Sequence, residues 1–338
     1  MVSPDSDSRY HPHPESLPPI NGDFTGKDIV SLTQFDRTSI EILFSEAAKM
    51  EANLNKGTVP QVLNGKAMFS CFSEASTRTR LSFESAHLRL GGDQPLQGPN
   101  LPRLEDPYFD YDVSSLTYYP DVIVLRHPES GSSLRASEAI RESGGRVVPV
   151  INAGDGINEH PTQAMLDMYT IMKRLGRLNN LKGVISGDPR NQRAVHSLLN
   201  ALAMYEGNQV YLLSPSELSL PSEKIADLRS KGLFVKEIKS GRQIPRGADF
   251  WYWTRIMRER FDSEEEYEAA KAKEQRLTAR LIETRGREDL FIMHVGPVTD
   301  EVDQKVHDNE PRFIPFEQVR NGLYVRMALL ALVLGKVK

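Results

Sequence analysis

The sequence has little cysteine: Cys71 is the only one in 338 residues. That excludes an internal disulfide and a thiolate metal site, and makes a reducing cytoplasm the expected setting. Long hydrophobic runs are missing as well. None approaches the ~18 apolar residues that span a bilayer, so no membrane partner is expected. The most hydrophobic stretch, Met327 to Leu334, reads as a buried helix end. Excess charge of one sign is also absent. A net charge of −4 offers no basic face to nucleic acid, so none is expected as a partner. The first residues lack a positively charged region followed by an apolar segment, and no secretory signal is expected. No G-x-G-x-x-G follows a strand-like run, which counts against a nucleotide-binding dehydrogenase. No segment repeats at a fixed period.

What is present is ordinary soluble composition, 39% apolar and 26% charged, in a chain long enough for two α/β domains. Residues 1–26 are expected to form a disordered arm, rich in Pro, Ser, Asp and His up to Asp23. His11 and His13 read there as solvated rather than metal-binding. A helix is predicted over Thr38–Asn53 from the spacing of Ile40, Leu43, Ala47 and Met50. Strand-like runs at Ala67–Phe72, Val122–Leu125 and Val147–Ile151 then alternate with helical patterns at Arg80–Leu90, Ser133–Glu142 and Pro161–Leu175. Cys71 lies in the first run and reads as core packing. A second series has strands at Gly183–Ser186, Gln209–Leu213, Phe250–Trp253 and Leu290–Met293. Helices are predicted at Arg193–Met204 and Ser222–Lys231, a solvated helix at Ser263–Arg280, and a buried one at Leu323–Leu334.

The predicted fold class is α/β, as two doubly wound parallel-sheet domains with the active site in the cleft between them. The domains are placed at 27–176, completed by a C-terminal helix over 318–338, and at 177–317.

The segment Phe72-Ser-Glu-Ala-Ser-Thr-Arg-Thr-Arg-Leu-Ser-Phe83 carries the most chemistry. A buried strand ends at Phe72 and a helix starts near Thr79, so Ser76, Thr77, Arg78 and Thr79 fall at the turn. There, free N–H groups and the helix dipole favour an anion, and an Arg fork matches phosphate oxygens. A capped helix with a surface Arg is the plainer reading. Ser76-Thr-Arg-Thr-Arg-Leu-Ser-Phe-Glu84 resembles the carbamoyl-phosphate signature of aspartate and ornithine carbamoyltransferases. Arg126-His-Pro128, Asn152-Ala-Gly-Asp-Gly156 and His160-Pro-Thr-Gln163 are similar to the aspartate branch. So are Gly187–Ser197, Thr254-Arg255 and Asn321–Leu334, in order along the chain.

The resemblance implies carbamoyl transfer from carbamoyl phosphate to an acidic amine, L-aspartate by default, as in pyrimidine synthesis. Ser76, Thr77, Arg78, Thr79 and Arg126 would hold the phosphate. His160 would donate to the carbamoyl carbonyl oxygen, Gln163 would hold the amide, and the Val295 backbone would contact carbamoyl and amine groups. The catalytic set is then Arg78, Thr79, Arg126 and His160. Arg193 and Arg255 would grip the acceptor's carboxylates. The chemistry calls for no metal and no cofactor, and requires Arg126 unpaired by protein carboxylates. The resemblance also implies a homotrimer, with regulatory or dihydroorotase-like chains as conceivable further partners.

The pattern departs from the family around the second substrate. The family's loop after the signature helix supplies a Ser and a Lys to the neighbouring subunit. Here Gly92–Phe109 holds neither, has prolines at 95, 99, 102 and 107, and places Glu105 near the Lys position and Arg103 close by. Met257 replaces a Gln, Ala194 replaces a Thr, and His294-Val-Gly-Pro-Val298 loses an Arg, with Gly296 expected to loosen the turn. Two alternatives therefore stand beside aspartate: a different amine acceptor in a specialised pathway, and a catalytically weak homologue acting as a structural or regulatory partner.

Overall fold

The structure is a computed structural model, in which residues 17–98 and 100–337 are described. In chain order the elements are α1 (Arg37–Lys56), β1 (Met68–Phe72), α2 (Thr77–Arg89), α3 (Phe109–Leu116), β2 (Val122–His127), α4 (Ser132–Glu142), β3 (Val150–Asp155) and α5 (Pro161–Leu175). They continue with β4 (Lys182–Ser186), α6 (Arg193–Ala203), β5 (Gln209–Leu213), α7 (Ser222–Ser230), β6 (Phe234–Ile238), β7 (Phe250–Trp253), α8 (Glu264–Lys271), α9 (Ala279–Arg285), β8 (Phe291–His294), α10 (Gln304–Asn309) and α11 (Pro315–Val333). The chain forms two compact units, residues 1–165 with 321–338, and residues 166–320. The divisions fall within α5 and α11.

The first unit carries a parallel sheet in the order β1-β2-β3. Single bridges add Leu96 beside β1 and Ile29 beside β3. From β1 the chain therefore turns to one side, at Leu96, and then to the other, at β2 and β3. The gap between β1 and β2 is a switch point, where an open α/β sheet leaves a crevice at its strand C-terminal ends. Its strands are apolar on both faces, as parallel strands covered by helices must be. Phe69, Ile123, Leu125 and Val150 pack with Phe109 and Val113 of α3 and with Ile140 of α4.

The second unit has the order β6-β5-β4-β7-β8, all parallel. Strands β5 and β6 extend to one side of β4 and β7 and β8 to the other, so its switch point lies between β4 and β7. The chain's two tryptophans, Trp251 and Trp253, lie on β7 with ring centroids 5.7 Å apart, in a core with Ile282 and Ile292.

The same lock closes the opposite end of each switch point. Asp121 N–H donates to Ala67 O while its carboxylate accepts from Ala67 N–H, at 2.7 and 2.9 Å. Asp249 and Lys182 repeat the exchange, at 2.7 Å in both directions. Cations flank both carboxylates: Lys66 and Arg146 at Asp121, Arg177 and Arg287 at Asp249.

Several sequence expectations change. Residues 1–16, with His11 and His13, lie outside the described residues. Residues 17–26, assigned to the arm, are packed: Ile20 and Phe24 are buried, and Lys27 Nζ donates to the Pro19 and Ile20 carbonyls. The helix predicted over 263–280 ends at Lys271. Leu277 is instead buried and bridges Val302, which takes it out of any solvated helix. Strand β6 and helices α3, α9 and α10 were not foreseen. β6 lies at a sheet edge with Lys236 and Glu237 both exposed, which breaks the strand alternation, and the three helices are short.

Candidate active site

At the first switch point, Ser76 is the extended N-cap of α2, and its side chain caps no N–H of its own helix. The first turn is Thr77-Arg78-Thr79, so the hydroxyls and the N–H groups of residues 77–79 gather where the helix dipole is positive. Arg78 is exposed, and among the described residues no acid or acceptor engages it. Partial burial lowers its pKa from the ordinary value, which leaves the guanidinium charged.

Arg126 reaches the same place from β2. The register sets Phe72 opposite Arg126, which brings the residues just past β1 beside the guanidinium. Its Nη1 donates to Ala153 O at 3.2 Å and its Nη2 lies 3.2 Å from Glu74 Oε2. The expectation that no protein carboxylate pairs with Arg126 is therefore corrected. A guanidinium only 13% exposed needs a counter-charge, because desolvating a lone charge is expensive.

His160 precedes Pro161, the first residue of α5, where a proline's fixed φ suits a helix start. It is 4% exposed, with Nε2 3.5 Å from Thr79 Oγ1. The first unit thus brings His160 to the α2 turn. Gln163 follows on the first turn of α5, half-buried, its N–H donating to His160 O. The strand-to-helix turn before His160 is built on Asp155. Its carboxylate accepts from the N–H groups of Gly131 and Glu159, both at 3.0 Å, and from Asn152 and Asn158 at 3.3 Å. Burial, with Glu159 close by, pushes Asp155 up to about 6. Glu159 in turn accepts from Ser31 Oγ at 2.5 Å and Leu32 N–H at 3.2 Å.

The second unit holds Arg193 and Arg255 beside its own switch point and Val295 at the end of β8, one strand away. Gly187, just past β4, has φ +115°, and a Cβ there would meet Thr254 O at 2.1 Å, so only glycine fits the close approach of the two strand ends. Thr254 Oγ1 donates to Ser186 O and accepts from Asp188 N–H, both at 3.1 Å. Arg193 begins α6 and is buried; Arg255 follows β7 and is half-buried. Arg255 makes a two-pronged pair with Glu259, one prong at 3.0 Å, which raises its pKa above the ordinary value.

Val295 follows β8 in a turn that is well tied despite Gly296, contrary to the expected loosening. Glu301 Oε1 lies 3.0 Å from His294 Nε2 and accepts from Thr299 N–H at 2.7 Å, while Gly296 N–H donates to His294 Nδ1 at 2.8 Å. Burial alone would raise the Glu301 pKa, but these donors outweigh it and hold it at about 2. Gly296 is required by its positive φ of 67°.

Sequence reasoning missed the acids that hold these groups: Glu74, Asp155, Glu159, Glu259 and Glu301. Only Glu259 had a legible signal, its four-residue spacing from Arg255.

Residues 27–173 match the family described as aspartate/ornithine carbamoyltransferase, carbamoyl-P binding domain, and residues 179–333 match its Asp/Orn binding domain. The aspartate carbamoyltransferase catalytic subunit of Methanopyrus kandleri is 42% identical over 322 residues, covering 92% of this chain and 98% of that protein. Among solved structures, aspartate transcarbamoylase of Trypanosoma cruzi in complex with phosphate superposes with a TM-score of 0.80 at 33% identity, covering 94% of this chain and 98% of that one. The catalytic subunit of M. jannaschii aspartate transcarbamoylase gives 0.79 at 38% identity, covering 90% and 96%. With both halves matched in order and each site set at its sheet's switch point, the chain belongs to the aspartate/ornithine carbamoyltransferase family.

Proposed function

We infer that this protein transfers the carbamoyl group of carbamoyl phosphate to the amino group of L-aspartate, a step of pyrimidine biosynthesis. The observation that carries this reading is the α2 turn, where Thr79 lies beside His160 and Arg126 pairs with Glu74, two residues ahead of Ser76, all in one unit. That grouping suits a phosphate with an adjacent carbonyl. The family match and the aspartate carbamoyltransferase relatives support aspartate as acceptor.

In this reading the residues 76–79 and Arg126 bind the phosphate. The uncharged amine attacks the carbonyl carbon, a C–N bond forms, the C–O bond to phosphate breaks, and the proton the amine loses ends on the departing phosphate. His160 donates to the carbonyl oxygen as it gains negative charge, and Arg126 and the helix end stabilise the departing phosphate. Gln163 holds the carbamoyl amide, and the Val295 backbone contacts the carbamoyl and amine groups. Arg193 and Arg255 bind the two carboxylates of aspartate, for which a guanidinium fork is suited.

We also place the protein in the cytoplasm and read it as a homotrimer. Supporting the first is the single cysteine, buried in β1; supporting the second is the family to which the chain belongs. The functional reading is tested by supplying labelled carbamoyl phosphate with L-aspartate or a panel of other amines. N-carbamoyl-L-aspartate as the main product is expected. A ureido product from another amine alone, or none, would turn the reading toward a specialised acceptor or a partner role.

A further inference from the structure

The segment that follows α2 and a short extended passage returns to the rim of the phosphate cradle. Leu101 N–H donates to Ser73 Oγ at 3.0 Å. His127 Nε2 lies 3.1 Å from Pro102 O, and since Glu129 N–H donates to His127 Nδ1 at 3.2 Å, Nε2 is the ring's donor. Glu129 accepts from Arg103 Nε at 2.6 Å and from Leu104 N–H at 2.7 Å. Leu101 and Leu104 pack on the core of the first sheet. Four consecutive residues are thus fastened to Ser73, His127 and Glu129. Ser73 adjoins Glu74, and His127 adjoins Arg126, the two ends of the ion pair inside the cradle. Ser73 N–H also donates to Arg126 O at 2.9 Å, which ties the two strand ends to each other.

We propose that Leu101–Leu104 is a fixed rim of the phosphate site of its own chain and that Glu129 is the positioning residue that holds it there. Glu129 is the only one of the three anchors that engages two residues of the segment, and the only charged one. Its carboxylate is held ionised: burial raises its pKa, but the Leu104 N–H and Arg103 more than offset this. Pro102 within the segment, and the prolines at 95, 99 and 107 in the surrounding loop, limit the freedom it regains on release, so the fastening needs few contacts. Glu129 touches no reacting atom; it acts by keeping the ends of β1 and β2, next to Glu74 and at Arg126, at one spacing.

The inference rests on the carbamoyltransferase reading for its consequence, but its test needs no turnover. Leu104 N–H is bonded and its side chain packed, so trypsin reaches the Arg103–Leu104 bond only when the rim opens. Glu129→Ala is expected to be cut at that bond many times faster than the wild type. It should also bind inorganic phosphate about ten- to hundredfold more weakly, the scale of losing a charged hydrogen-bonding group. Glu129→Gln keeps one acceptor oxygen and should fall between the two in both measurements. In turnover the loss should appear in KM for carbamoyl phosphate more than in kcat. Unchanged cleavage in Glu129→Ala would overturn the proposal. Faster cleavage with unchanged phosphate binding would overturn it equally, because the segment would then be a surface strap. A wild type that binds phosphate yet forms no N-carbamoyl-L-aspartate would contradict the functional reading instead, and leave cleavage and phosphate binding to decide the rim.

Discussion

Arg126 and Glu74 form an ion pair across the ends of β2 and β1, Nη2 to Oε2 at 3.2 Å. An incoming phosphate competes with that carboxylate for the guanidinium. Arg126→Ala removes the cation and leaves the acid beside the cradle. It is expected to weaken inorganic phosphate binding at least tenfold, in line with about 1.5–3 kcal/mol for a hydrogen bond to a charged group. Glu74→Gln removes the competitor and should tighten phosphate binding. Calorimetric titration of both variants decides the matter; equal affinity in all three proteins would contradict the pairing as a functional element.

His160 is buried, with Nε2 3.5 Å from Thr79 Oγ1. A donor aimed at charge that develops during reaction affects turnover more than ground-state binding. His160→Ala should therefore lower kcat by about 10²–10³ while KM for carbamoyl phosphate changes far less. Steady-state kinetics against carbamoyl phosphate at saturating aspartate reads the split.

Arg255 is held by Glu259 one helical turn on, although the pair sits at a strand end rather than within a helix. A half-exposed pair of this kind contributes little to stability, about 0–1 kcal/mol, so neither single variant should move the melting temperature appreciably. Arg255→Ala is expected to raise KM for aspartate at least tenfold. Glu259→Ala leaves the guanidinium present but unordered, and should raise KM only a few-fold, on the scale of about 0.5–1.5 kcal/mol to immobilise a side chain.

Asp155 gives a pH dependence with a definite sign. Its folded pKa of about 6 lies above the ordinary aspartate value near 3.9, so the folded chain holds the proton more tightly than the unfolded one. The resulting stabilisation is complete below about pH 4, shrinks as pH rises, and is gone above about pH 6. Urea unfolding of the wild type and Asp155→Asn across that range should show the wild type's relative advantage falling as pH rises, then levelling. Asp155→Asn should still be the less stable above pH 6, by about 1–3 kcal/mol, because an amide NH₂ would face donors from Gly131, Glu159, Asn152 and Asn158. A flat difference across the range would contradict burial as the cause of the shift.

Much of the fold was legible because parallel strands buried on both faces read as short apolar runs. Gln209–Leu213 and Phe250–Trp253 match the structure residue for residue, and so does α5, with proline at its start. Edge strand β6 was not legible, since Phe234 is exposed and Lys236 and Glu237 interrupt its pattern. The loop Gly92–Phe109 was read for what it lacks, a Ser and a Lys. What it does instead, fastening to Ser73, His127 and Glu129, depends on partners far along the chain that no local pattern reveals. The pairing of Arg126 with Glu74 escaped for the same reason: strand register, not spacing, sets it. The cationic and hydroxyl groups of the cradle announce themselves in sequence, whereas the acids that orient them do not.

The most direct test of the central claim follows ¹³C-carbamoyl phosphate and L-aspartate by NMR with the wild type and with Arg126→Ala. The expected result is accumulation of N-carbamoyl-L-aspartate and phosphate in equal amounts with the wild type, and its near disappearance with Arg126→Ala. Product formed equally well by both proteins, or by neither, would contradict the account of the cradle between β1 and β2.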